Sequence, residues 1–301
     1  MTTPFESPVP APGPAQARPG RKLGPIADCV GSSHRAWLEP MRESYFASGR
    51  TLSHLSDRVL LAKSKLSELL RGVGLYPRWE VIDRLSTELN MPTWPLYRLW
   101  RQAALDSQKT REWIDRSTEK TTLATTNPKP PLEHDAFCQM VEMDYLRYAQ
   151  VFLFDDARDA AVAGTFDILW LYWNDALASP DIRRYAWSIL RATVMSKTPH
   201  LDGRPDFGPA VFDTVALRSR ASEDDRMAQV AESLELFKAI SKLPDAQLDV
   251  MVLRHLCGVP PAHVSALLGV SLPAVLSDER HAVRYLERAI YLPPETGGPT
   301  P

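Results

Sequence analysis

The sequence predicts an all-α, multi-domain protein, and three observations carry that expectation. Apolar residues recur at helical spacing in three blocks, from Trp37 to about Arg116, from Ala136 to Thr198 and from Glu223 to Tyr291. Stretches rich in Pro, Gly and Thr separate the blocks, and no sustained alternation of apolar and polar residues points to strands. With 301 residues the chain is long enough for two or three small domains, since single domains commonly run to about 100–150 residues.

Residues 1–34 are rich in Pro, Ala and Gly with few large apolar residues, so they cannot repay the entropy of ordering and are expected to form a disordered arm. Residues 35–118 read as a compact helical domain. Residues 119–135 contain TTLATTNPKPPLEHD, where Pro removes donors and stiffens the extended chain, and read as a linker. Residues 136–200 hold three helical patterns, with Trp170, Tyr172, Trp173, Tyr185 and Trp187 concentrated in the second and third. A run of Pro and Gly (PHLDGRPDFGP) opens a second linker over 201–222. Residues 223–292 are helical again and stop at Pro293-Pro294, which leaves 293–301 as a disordered tail.

The formal charge of −2 excludes a uniformly basic nucleic-acid coat, so any contact with DNA must come from local patches. Cys29, Cys138 and Cys257 lie far apart without a CxxC, which argues against a disulfide framework or a zinc ribbon and fits a reducing cytoplasm. No apolar run approaches the ~20 residues of a spanning helix, and the N-terminus lacks the apolar core of a signal peptide. A soluble, cytoplasmic protein with no membrane partner is expected.

Two segments read as helix-turn-helix. In the first, Thr51 to Gly72 (TLSHLSDRVLLAKSKLSELLRG), Leu52, Leu55 and Val59 hold the first helix, Leu61 the turn, and Leu66, Leu69 and Leu70 the inner face of the second. That leaves Lys63, Ser64, Lys65, Ser67, Glu68 and Arg71 outward, a polar set able to reach phosphates and base edges. From Met41 to Arg116 there are 13 basic residues against 9 acidic ones, a net +4 that suits DNA. With the following GVGLYPRWEVIDRLSTEL, the segment resembles a Cro/C1-type domain of the Xre class. Leu60 stands where the turn of that class usually has Gly, and Ala62 where an N-capping Ser is common.

Residues 137–198 carry YAQVFLFDDARDAAVAGTFDILW and then YWNDALASPDIRRYAWSILRATV. This block resembles region 2 of the extracytoplasmic-function group of sigma-70 family factors. The resemblance implies a polymerase face at Asp159, Thr165, Phe166, Asp167 and Trp170, and a face for the −10 promoter element at Arg183, Arg184, Trp187 and Arg191. From Asp181 to Lys197 four basic residues accompany one acid, and aromatic rings beside them could support an unstacked base. The competing reading makes Trp170 and Trp187 core anchors of amphipathic helices.

The second helix-turn-helix lies in LPDAQLDVMVLRHLCGVPPAHVSALLGVSLPAVLSDERHAVRYLERAI, which resembles region 4 of the same family. Pro244 opens a helix, Gly269 supplies the turn, Ser271 is a natural N-cap, and Ser277, Arg280, His281 and Arg284 are the remaining candidates for DNA contact. The alternative for Arg280, His281 and Arg284 is a solvated helix face beside Asp278 and Glu279. The family usually carries an Asp and a Gln where Ala160 and Ala163 stand, and Thr and basic residues in the stretch that here reads Ala274, Val275, Leu276, Ser277 and Asp278. From Glu223 to Ile290 there are 7 basic residues against 10 acidic, a net −3 that argues against strong binding of a −35 element.

No nucleophile elbow, P-loop or dinucleotide fingerprint occurs, and nothing supports an enzyme or a cofactor. His255, Cys257 and His263 are close in sequence, but a closed zinc site needs four ligands and Pro260-Pro261 interrupts them, so no metal is expected. The expected function is transcription regulation by a divergent sigma-like factor that engages promoter DNA and core RNA polymerase. The alternative is a degenerate sigma fold that no longer initiates and instead binds an anti-sigma or other regulatory protein, or a second copy of itself.

Overall fold

Several helix ends fall where a short polar side chain or a left-handed residue punctuates the chain. The structure, a computed structural model, describes residues 23–119, 121, 129–210 and 233–291. The first group of helices is α1 (Ser32–Ala47), α2 (Leu52–Val59), α3 (Lys63–Leu70), α4 (Trp79–Glu88), α5 (Thr93–Asp106) and α6 (Arg111–Thr118). Thr51 starts α2 by accepting from the His54 amide at 3.2 Å, and Thr110 starts α6 by accepting from the Trp113 amide at 3.2 Å. Leu60 ends α2 with φ of 55°, so a leucine holds the left-handed position for which Gly is the unstrained choice.

The second group comprises α7 (Leu132–Gln150), α8 (Asp155–Leu171), α9 (Trp173–Ala178), α10 (Ile182–Lys197), α11 (Asp245–Met251) with a π-helical turn over Val252–Leu256, α12 (Pro261–Leu268) and α13 (Leu272–Tyr291). Residues 233–241 are also helical. A two-residue antiparallel pair, His200–Leu201 with Arg204–Pro205, is the one departure from helix among the regular elements of the described residues. Among those residues no helix is long and apolar enough to cross a membrane.

Buried apolar side chains form two clusters. One draws Trp37 and Met41 from α1, Leu55 and Val59 from α2, Leu66 and Leu70 from α3, Trp79 from α4, and Leu96 and Trp100 from α5. The other is continuous from Phe137 to Leu286 and places Tyr148, Trp187 and Leu190 beside Leu248, Val264 and Val275. Helix α8 touches both, since Ile168 and Leu171 pack against the first cluster while Leu169 lies inside the second.

Three sequence expectations change here. The disordered arm was expected to reach residue 34, yet residues 23–34 are ordered against the first bundle. Val30 is buried, the Ala27 amide donates to the Arg71 carbonyl at 3.0 Å, and Arg35 and Arg42 donate to the carbonyls of Ala27 and Gly24. These guanidinium contacts add to the apolar packing of Leu23, Ile26, Ala27 and Val30 on the first cluster. The linker expected over 201–222 contributes to the core at Phe207, which packs at a tilt on Phe152 at 4.9 Å and stacks on Phe237 at 5.4 Å. The blocks 136–200 and 223–292, expected as separate domains, share one apolar core. The expected arm over 1–22, most of the linker over 119–135, residues 211–232 and the tail over 293–301 lie outside the described residues.

Candidate nucleic-acid interface

In the first helix-turn-helix, α3 turns Leu66, Leu69 and Leu70 inward and leaves Lys63, Ser64 and Lys65 exposed, with Ser67 and Glu68 half-buried. Lys65 pairs with Glu68 at 2.7 Å, an exposed i,i+3 contact that water and salt weaken. Helix α3 is held firmly from behind. Arg42 donates to the Leu70 carbonyl at its C-terminus, and Gly72 follows with φ of 68°, where a Cβ would meet Val30 at 2.5 Å. Only glycine fits that turn. The loop beyond is anchored by Tyr76, whose hydroxyl accepts from Trp37 Nε1 at 3.1 Å and donates to the Trp100 carbonyl at 2.8 Å. Arg71 departs from expectation: it is half-buried, its Nε lies 3.3 Å from where a Cβ on Gly24 would sit, and it is withdrawn from the outward row.

Helix α10 is treated differently. Asp181 caps it by accepting from the amides of Arg183 at 2.8 Å and Arg184 at 3.1 Å. Its basic and aromatic face turns onto the C-terminal block. Trp187 Nε1 donates to Asp249 at 2.9 Å, Arg191 Nε lies 3.0 Å from both Asp249 oxygens, and Arg191 Nη2 reaches Asp245 at 2.8 Å. Tyr148 of α7 completes the shell, donating to Asp249 at 2.7 Å while its ring meets that of Trp187 edge-on at 4.7 Å. Burial raises the Asp249 carboxyl above the usual carboxylate range, and the three donors oppose that rise. Arg183 extends to the Ala266 carbonyl in the last turn of α12 at 3.4 Å, and of the expected −10 face only Arg184 is exposed. Trp187 is thus a core anchor.

Gly269 serves two ends. With φ of 63° it forms the turn between α12 and α13, and a Cβ there would lie 2.6 Å from the Arg184 amide and 2.7 Å from Asp181 Oδ1. The turn of the second helix-turn-helix is therefore seated on the N-terminus of α10.

The expected polymerase face on α8 is also largely internal. Asp159 is exposed and pairs with Arg158 at 2.8 Å, but Thr165 is fully buried and donates to the Ala161 carbonyl at 2.9 Å. Phe166 stacks on Tyr145 at 5.9 Å, and Trp170 is buried beside His134 at 5.9 Å. Asp167 is buried and pairs with Arg98 of α5. Burial lifts its carboxyl to about 7, with Arg98 acting in the opposite direction. Four of the five residues are thus withdrawn from the surface by packing on α5, α7 and α10.

In α13, Ser271 accepts from the Ala274 amide at 3.4 Å, as an N-cap does. Ser277 is half-buried, whereas Arg280, His281 and Arg284 are exposed. Arg280 Nε is turned back to the Leu276 carbonyl at 3.2 Å. His255 meets Glu279 at 3.0 Å, His263 meets Asp144 at 2.6 Å, and the Cys257 thiol donates to the Arg147 carbonyl at 3.5 Å, so these three side chains turn to different partners.

Sequence reasoning missed Asp249, Tyr148 and Arg98. Asp249 carried a signal, being the lone acid inside the apolar run Leu248 to Leu253. No family model, curated protein or solved structure matches this chain.

Proposed function

We propose that the protein is a DNA-binding transcription regulator in which α3 supplies the DNA contact and the sigma-like half serves as an interaction module rather than an initiator. In this reading α1–α6 form an Xre-like domain, α7–α10 correspond to region 2 of the extracytoplasmic-function sigma factors, and α11–α13 to region 4. The observation that carries it is the contrast in side-chain commitment. Lys63, Ser64 and Lys65 stand exposed on a braced helix, whereas Trp187 and Arg191 are bound to Asp249 within one core. A side chain buried against a carboxylate is not free to read a base edge or neutralise a phosphate.

The exposed N-terminal turn of α3 suits the major groove, where the first residues of a recognition helix meet the bases. Selection from random duplex DNA with the full chain tests the reading. A recovered sequence motif bound by the wild type and lost in Lys63→Ala/Lys65→Ala is expected, together with no promoter-directed transcription when core RNA polymerase is added. Specific initiation from a promoter would refute the interaction-module part and restore an initiating factor.

A further inference from the structure

Between the two helical groups a cleft of about 480 Å³ opens, walled by α1 and α5 on one side and by α8 and α10 on the other. We propose that this cleft binds a small organic carboxylate with an apolar body. The volume lies in the range of about 300–1,000 Å³ typical of small-molecule sites.

The shape of the cleft comes from short side chains on one wall. Ala160, Ala163 and Gly164 line the α8 side, and a Cβ on Gly164 would only just reach Leu99 of α5, at 4.0 Å. Longer side chains at 160 and 163 would project into the space. Leu99, Ile168 and Ala192 add to an interior that is mostly apolar, which selects a ligand with a hydrocarbon or aromatic body.

Charge at the rim selects its head group. Arg35 is committed to Glu39 at 3.3 Å and to the carbonyls of Val30 and Ala27, and Arg98 is committed to Asp167. Both acids of the lining are therefore paired. Arg101 of α5 and Lys197 of α10 line the same cleft, and their side chains form no ion pair or hydrogen bond among the described residues. They stand on opposite walls, so two cations without a counter-charge face an apolar interior. An anionic head group on an apolar body fits that arrangement, a carboxylate offsetting one of the two unpaired charges and accepting from either or both cations.

Isothermal titration of the full chain tests this with decanoate, using decanol as the apolar body alone and inorganic phosphate as the charge alone. One decanoate per chain is expected, with Arg101→Ala/Lys197→Ala weakening it about tenfold or more. Ala163→Trp, at an exposed position facing the cleft, is expected to abolish binding while the thermal midpoint is retained. The proposal is overturned if decanoate fails to bind, if decanol or phosphate binds as tightly as decanoate, or if the double substitution or Ala163→Trp leaves decanoate affinity unchanged. No DNA enters the titration, so its failure is separable from failure of the proposed function.

Discussion

Helices α3 and α10 both carry basic residues expected to meet DNA, and the fold disposes of them in opposite ways. Helix α3 is short, packs through three leucines and keeps Lys63 and Lys65 in water, where Lys65 has only an exposed pair with Glu68 to give up. Helix α10 packs through Ala186, Trp187, Leu190 and Val194, and the arginine beside that stripe is held by the buried Asp249 and, at the surface, by Asp245. The same residue types are a candidate binding surface in one place and internal structure in the other. What separates them is whether the chain supplies its own carboxylate. The acidic balance of the C-terminal block, which argues against its binding DNA, is in part the balance that neutralises α10.

Breaking the internal side of this contrast has the largest expected effect. Asp249→Ala leaves the Arg191, Trp187 and Tyr148 donors facing a buried void, and loss of one member of a buried charged network costs about 3–5 kcal/mol. Urea unfolding measures it, and a loss under 1 kcal/mol would mean that the contact does not hold the two blocks together.

The second effect depends on pH. The Asp167 carboxyl is raised to about 7 in the folded protein, so the folded state holds its proton where the unfolded state has released it. Stability from this group is therefore full below the ordinary carboxylate range, falls as pH rises toward about 7 and is level above, by an amount on the order of 4 kcal/mol. Unfolding of wild type and Asp167→Asn across that window should show a smaller slope in the variant, and identical slopes would remove Asp167 as the cause.

Gly269→Ala should cost about 2 kcal/mol or more, because the added methyl meets the Arg184 amide while φ stays positive. A neutral result would detach the turn from α10. The smallest effect belongs to the exposed side: Lys63→Ala/Lys65→Ala should change stability by no more than about 0.5 kcal/mol, and a larger loss would mean that α3 is part of the core rather than a presented surface.

Much of the local structure was legible because it rests on short-range rules. Helical spacing marked the α2, α3, α12 and α13 segments, and the Gly269–Ser271 turn is written in residues whose backbone preferences are local. The left-handed residue at 60 is a Leu, which no local backbone preference marks. What could not be read is long-range. Tyr148 and Asp249 lie 101 residues apart, Arg98 and Asp167 69 apart, and no spacing rule links them. Trp187 shows the limit most clearly, since an aromatic beside arginines reads equally well as a base-stacking surface or a core anchor, and only the position of Asp249 decides for the anchor. Residues 23–34 carry only four apolar anchors, Leu23, Ile26, Ala27 and Val30, at no helical spacing, and the arginines that bind their backbone carbonyls leave no local pattern.

On the proposed function the outward cations of α3, and not the internal face of α10, touch DNA. Fluorescence anisotropy of the full chain on its selected duplex, comparing Lys63→Ala/Lys65→Ala with Arg183→Ala/Trp187→Phe, addresses it most directly. At least about a tenfold loss of affinity and a salt slope reduced by about 2 are expected for the lysine pair, with affinity unchanged for the α10 pair. Unchanged affinity in the lysine variant with a large loss in the α10 variant would contradict it.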